Sequence, residues 1–191
     1  SSSDEDRKKT KLYKEENKRK IHRANISSLD DYIKSLDIRI TVSKNSESDL
    51  KRIAQLTNKT NQFNLTTKRY SESDILNYME NNFVYSFQVE DIYGNMGIVG
   101  IAIIVENHID TFLLSCRVLG RKIEETIIRF ILNKHKDLSA LYIPTKKNMQ
   151  VKEFYENNGF VLHKEKTNGE KQYKFKYNSE LDLSLNIKLE D

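Results

Sequence analysis

The chain reads as an α+β domain: a central mixed, mostly antiparallel sheet flanked by helices, with a helical extension at its N-terminus. Three observations predict this. Alternating or continuous apolar runs of strand length recur from Ile38 to Tyr177. Helix-period segments with their own start signals lie among them. Turn dipeptides such as Tyr93-Gly94 and Asn168-Gly169 separate consecutive strands. The 191 residues suffice for one domain and an appendage.

Asp4 to Asn25 is dense in Lys, Arg and Glu and has no Gly or Pro, so it reads as a solvated helix. Leu12, Tyr13 and Ile21 are too few to make a core-facing stripe. Residues 1–36 are therefore expected to be a linker, or the tail of an upstream domain missing from a chain that begins with Ser. Ser28-Leu-Asp-Asp31 opens a helix to about Leu36, its hydroxyl placed to cap backbone N–H groups and its acids favourable in the first turn. Ile38 to Val42 alternates as a half-buried strand. Ser46-Glu-Ser-Asp49 and its near-copy Ser71-Glu-Ser-Asp74 read as two uses of one capping device. Each precedes a helix, one with Leu50, Ile53 and Ala54 on its apolar face, the other with Ile75, Leu76 and Met79.

Strands follow. Phe83 to Val89 alternates, and Ile98 to Val105 is continuously apolar, as in a strand buried on both faces. Asn107-His108 turns the chain into a strand over Ile109 to Val118. Ile123, Ile127, Ile128, Ile131 and Leu132 mark an amphipathic helix. Ser139 to Ile143 is a short strand stopped by Pro144. In Asn148-Met-Gln-Val-Lys-Glu-Phe-Tyr155-Glu-Asn-Asn-Gly159-Phe160, Val151, Phe154 and Tyr155 fall on one face of a short helix. Gly159 supplies a left-handed C-terminal residue there. Phe160 to Lys166 and Lys171 to Tyr177 form a hairpin. Residues 37–178 thus make the domain, and residues 179–191, alternating from Leu181 to Leu189, an extra strand or an edge for a second copy.

Composition excludes several classes. No apolar run approaches the ~18–20 residues needed to span a bilayer, and Ser1 to Lys20 holds no secretory signal. The single Cys116 rules out an internal disulfide and fits a reducing cytoplasm. The net charge of +4 is mild, and basic residues alternate with acidic ones rather than forming a nucleic-acid stripe. His22, His108, His135 and His163 lack metal-ligand spacing, so no metal is expected.

The segment from Asn148 to Phe160 resembles the last motif of the GNAT superfamily of N-acetyltransferases, where an Asn leads into a helix ending Phe-Tyr-x-x-x-Gly-Phe. The order β, α, α, β, β, β, α, β, α, β, β is also that of the GNAT fold. The resemblance implies a sheet that parts between its fourth and fifth strands, here Ile109–Val118 and Ser139–Ile143, with the pantetheine arm of acetyl-CoA or a carrier-bound thioester in the gap. Three further stretches, Arg52 to Thr67, Asp110 to Arg121 and Pro144 to Tyr155, resemble the C-terminal region of FkbH-like proteins; Thr60-Asn-Gln-Phe-Asn-Leu-Thr66 is the most specific. Those proteins join a HAD-type domain to a GNAT-like one and load a glyceryl unit onto an acyl carrier protein on the way to methoxymalonyl units. The loading centre lies in the HAD domain, which this chain is taken to lack.

The resemblance implies site residues. Tyr155 would be the general acid that protonates the departing thiolate, with Asn148 fixing the loop or the donor's arm. Its plainer reading is a half-buried helix residue packing on the sheet. Leu114, Cys116, Val118, Gly120, Arg121 and Lys122, with Asn148, would line the donor. GNAT proteins write the phosphate loop as Gln/Arg-x-x-Gly-x-Gly/Ala. Here Arg117 to Gly120 fits one register, while a register set by Ile123 puts Leu119, Lys122 and Glu124 at the three motif places. Glu124 would compete with a diphosphate, whereas Arg121 and Lys122 would attract one. Asn61, Gln62, Asn64 and Thr66 would read the acceptor or satisfy a buried turn, and Phe63 reads as a core plug. Cys116 reads as a small buried residue. Asp110 and Glu106 are the nearest candidates for a base. Arg117, Arg121, Lys122, Lys146 and Lys147 would offer an acidic carrier protein a basic face. Two functions follow: an acyltransferase using a pantetheine-linked thioester, or a degenerate GNAT-fold module that binds a carrier protein.

Overall fold

The computed structural model describes residues 2–190; Ser1 and Asp191, the outermost residues of the two terminal segments above, lie outside the described residues. One eight-stranded sheet organises the chain. Its strands are β1 (Arg39–Lys44), β2 (Phe83–Asp91), β3 (Gly94–Val105), β4 (His108–Leu114), β5 (Leu138–Tyr142), β6 (Val161–Glu165), β7 (Lys171–Phe175) and β8 (Asn186–Leu189). They lie in the order β6-β7-β5-β4-β3-β2-β1-β8. Only β4–β5 and β1–β8 are parallel; the other pairs are antiparallel. The helices are α1 (Ser2–Ala24), α2 (Leu29–Leu36), α3 (Leu50–Lys59), α4 (Glu72–Asn81), α5 (Ile123–His135) and α6 (Phe154–Asn157).

Helices cover both faces of the sheet. On one face α3 and α4 press Ile53, Leu56, Ile75 and Met79 against Val84, Ile101, Ile103 and Leu113. On the other, Leu36 of α2 and Ile127, Ile128 and Ile131 of α5 join Phe87, Val99, Ala102 and Ile104. The residues of β3 alternate between these two clusters, which is why its sequence is apolar throughout.

Local chemistry sets the helix starts. Ser28 caps α2 by accepting from the Asp31 N–H, and Ser71 forms a full capping box with Asp74. The expected copy at Ser46 does not form: its hydroxyl bonds Ser48, and a 3-10 turn over Glu47–Asp49 precedes α3. The chain enters this turn from Asn45, held at φ +50° by hydrogen bonds to Val84 and Asn82, so the path leaving β1 overrides the capping motif.

Three expectations are corrected. The fourth strand ends at Leu114 rather than Val118, because Cys116–Val118 is a 3-10 turn. The last helix is one turn, preceded by a 3-10 turn over Met149–Val151, yet Val151, Phe154 and Tyr155 are all buried as their spacing implies. The helix α1 is mostly solvated but is docked to the domain. Its Arg19, 2% exposed, donates from Nε and Nη2 to both carboxylate oxygens of Asp91 at 2.7 and 2.8 Å. His22 adds hydrogen bonds to Tyr93 and Ser35. A polar contact of this kind leaves no apolar stripe in the sequence. Downstream, β8 lies parallel to β1 at the sheet edge.

Candidate functional site

The strands β4 and β5 pair only at His108–Ser139 and Ile109–Ala140, and part beyond those residues. The gap is filled by the chain itself. The segment Phe63–Leu65, from the connection between α3 and α4, runs into it as a short antiparallel bridge against Leu113. Leu65 N–H donates to Phe112 C=O (3.2 Å), and Leu114 N–H donates to Phe63 C=O (3.0 Å). On the far side Ile143 N–H donates to Leu65 C=O (2.9 Å). An unpaired strand edge inside a core would strand backbone groups at about 1–3 kcal/mol each; this segment takes up Phe112 C=O and Leu114 N–H on β4 and Ile143 N–H just past β5. Phe63 seals it, with ring centroids 5.1 Å from Phe154 and 6.2 Å from Phe112.

Asn148 holds the segment down. It is 0% exposed. Its Nδ2 donates to Asn64 C=O (3.0 Å) and Ile143 C=O (2.9 Å), and its Oδ1 accepts from Thr145 N–H (2.7 Å) and the Tyr142 hydroxyl (3.3 Å). Asn64 bonds inward, from Nδ2 to Thr60 C=O and from the Thr66 and Thr67 N–H groups to its Oδ1, while the Thr66 hydroxyl donates to Asp110 C=O. Both are buried, so the plainer reading of these two residues, satisfaction of a turn, describes them. Asn61 and Gln62 remain on the surface beside them.

Tyr155 is 1% exposed, and its hydroxyl finds no hydrogen-bond partner among the described residues. It sits among Phe154, Phe160 and Tyr173. Burial, with a smaller contribution from Tyr173, pushes its phenol far above the ordinary tyrosine value. A site-lining phenol was expected; the geometry gives an interior one. Asp110 is likewise committed, accepting from Lys68 Nζ (2.9 Å), the Tyr70 hydroxyl (2.6 Å) and the Thr111 hydroxyl (2.8 Å). Glu106 lies in the β3–β4 turn, at the end of β4 opposite Leu114.

The expected phosphate loop is similarly occupied. Lys122 takes the N-cap of α5 at φ +64°, a conformation suited to Gly, which selects the register set by Ile123. Gly120 N–H donates to Glu124 Oε1 (3.2 Å), so a carboxylate already stands at the helix start. Val118 is buried, its N–H bonded to Ser115 C=O. Arg121 pairs with Glu16 of α1 at 3.0 Å and Lys122 with Asp30 of α2 at 3.0 Å. The two cations expected to draw a diphosphate are thus each paired with a carboxylate of the N-terminal helices. The place that the GNAT resemblance gives to coenzyme A's arm, along Leu114, is filled in this arrangement, and the loop carries a carboxylate.

Cys116 is exposed, a correction to the buried thiol expected; its Sγ donates to Gln62 Oε1 at 3.0 Å. The strand's early end exposes it. It opens on a cavity of about 550 Å³ lined by Arg52, Lys59, Asn61, Gln62, Ser115 and Lys147, among others. The spacing of Arg52, Lys59 and Lys147 gave no hint of this convergence. Among the described residues no group of three or more His, Cys, Asp or Glu side chains is arranged to hold a metal ion.

No family model and no curated relative matches the chain. Solved structures do. The ribosomal-protein-S18-alanine N-acetyltransferase from Escherichia coli superimposes with a TM-score of 0.53 at 13% identity, covering 73% of this chain and 95% of its own. A PaiA N-acetyltransferase from Thermoplasma acidophilum, solved in complex with coenzyme A, gives 0.52 at 15% identity, over 72% and 99% of the two chains. A domain from Methanocaldococcus jannaschii gives 0.56 at 14% identity, over 72% and 98%. The chain has the GNAT acetyltransferase fold. At such identities the likeness is one of fold. Among the described residues no helix is long and apolar enough to cross a membrane.

Proposed function

We propose that this chain is a GNAT-fold module that binds an acyl carrier protein and performs no acyl transfer itself. One observation carries the reading: Phe63–Leu65 is hydrogen-bonded to β4 on one side and to Ile143, the residue just past β5, on the other, in the gap that a pantetheine arm would need. The buried phenol of Tyr155 and the Glu124 carboxylate at the loop agree with it. The resemblance to FkbH-like proteins supplies the context: a cytoplasmic chain downstream of a HAD-type domain, presenting the carrier for glyceryl or methoxymalonyl chemistry done there. Carrier proteins are acidic, and Arg52, Lys59, Arg117 and Lys147 are cations with no carboxylate in ion-pair range among the described residues. The outer edge of β8 is left for the dimer contact suggested by the sequence.

The second reading is the acyltransferase. The shared fold and the parted strands favour it, and it requires the Phe63–Leu65 segment to withdraw before acetyl-CoA or a carrier-bound thioester enters. Calorimetry and a thioester-release assay separate the two. The module is expected to bind carrier protein in a salt-sensitive way, and to neither bind acetyl-CoA nor release thiol. Thiol release above background that falls in Tyr155→Phe would establish the acyltransferase instead.

A further inference from the structure

Three basic side chains line one concave surface, with no carboxylate in ion-pair range of them among the described residues. Arg52, Lys59 and Lys147 line the 550 Å³ cavity beside Cys116, and no acidic residue shares that lining. Arg117 stands close enough to act on Arg52 by charge: burial first, and Arg117 second, hold the Arg52 guanidinium below its usual value. Arg52 is held rigidly, donating to Gln55 Oε1 (2.7 Å) and Ile98 C=O (3.2 Å), so its charge is fixed at the wall rather than free to swing into solvent. Like charges gathered around one surface repel one another unless an anion joins them. The remaining lining is polar and uncharged, with Thr60, Asn61, Gln62, Ser115 and Cys116 around the single aliphatic Leu56. A volume of this order suits a small polar ligand.

We infer that this pocket is a seat for a phosphomonoester, carried by the phosphopantetheine arm of a carrier protein or by a free phosphorylated small molecule. A guanidinium fork and two mobile ammonium groups suit a compact dianion with several acceptor oxygens. The pocket lies outside the filled gap. Its floor, Thr60–Gln62, leads directly into the Phe63–Leu65 segment, so a ligand here leaves that segment in place. The carrier-borne source rests on the binding-module reading above; the phosphate chemistry of the pocket does not.

The test is calorimetry with free phosphopantetheine, pantetheine and inorganic phosphate, on the wild type and on Lys59→Gln/Lys147→Gln. Both lysines are exposed, so the double variant is expected to keep the wild-type melting temperature. Phosphopantetheine and phosphate are expected to bind. Pantetheine, and phosphopantetheine with the double variant, are each expected to bind about tenfold more weakly or worse. Bound phosphopantetheine should also slow alkylation of Cys116 by iodoacetamide. Equal binding of pantetheine and phosphopantetheine, or an unchanged double variant, would overturn the site. Arms with holo- and apo-carrier protein identify the source. Holo binding that exceeds apo binding and is lost in the double variant assigns the carrier arm. Free phosphopantetheine binding with no carrier binding keeps the site and removes the module reading. Carrier binding indifferent to the double variant keeps that reading and removes the carrier arm as the pocket's ligand.

Discussion

Replacing Tyr155 by Phe removes one oxygen from the interior and little else. The ring keeps its neighbours, Phe154, Phe160 and Tyr173, with centroids 4.8 to 5.7 Å away. The oxygen is fully enclosed and unpartnered. Burying a hydroxyl without a hydrogen bond costs about 1–3 kcal/mol in protein mutants. The Phe variant should therefore gain roughly 1 kcal/mol, which for a domain of this size raises the melting temperature by about 2–4 °C. Urea titration with an unchanged slope, alongside calorimetry, reads the gain. A general acid predicts something else: acyl-transfer rate lost by about 10²–10⁴-fold with no gain in stability. Destabilisation beyond ~1 kcal/mol would refute the reasoning, because it would mean that the hydroxyl makes a bond that the geometry above denies.

Three other perturbations follow from particular contacts. Asn148→Ala severs four side-chain hydrogen bonds, one to the Asn64 C=O and three within β5 and the turn after it; at about 0.5–1.5 kcal/mol each the loss is ~3 kcal/mol, or roughly 6–12 °C in melting temperature. Hydrogen exchange should show the Leu65 and Leu114 amides unprotecting first. Arg19→Ala leaves Asp91 charged and buried, a loss of about 3–5 kcal/mol, while Arg19→Met with Asp91→Leu should be markedly less harmful. Proteolysis within α1 reports the release. His135 is held below its ordinary 6.5, first by burial and then by Lys134, so the unfolded chain takes up protons before the folded one does. Its contribution to stability is complete above pH 6.5 and is lost as the pH falls from there toward the folded value. The urea midpoint should drop between pH 7.5 and 5.5, less so in His135→Gln.

Much of the fold was legible because it depends on short-range physics. The two-faced burial of Ile98–Val105 appears as an unbroken apolar run, the box at Ser71 as Ser-x-x-Asp, and the stop at Gly159 as a left-handed residue at φ +89°. The site was less legible. Asn148 and Tyr155 stood out, but what they face depends on the Phe63–Leu65 segment, 84 residues from Asn148 at Asn64, entering the β4–β5 gap. Arg121 and Lys122 looked free because their partners, Glu16 and Asp30, belong to the N-terminal helices, whose docking the local pattern does not encode.

By itself, then, the amino-acid order determined where most of the helices and strands fall and most of the side chains that face a core. Those outcomes rest on periodicity, caps and turns within a few residues of each other. Only the tertiary structure decided that the gap between β4 and β5 is filled, that the phenol is enclosed, and that three cations with no carboxylate in ion-pair range among the described residues line one pocket. Each of these is a meeting of distant segments, governed by which backbone groups must find partners once the sheet has closed.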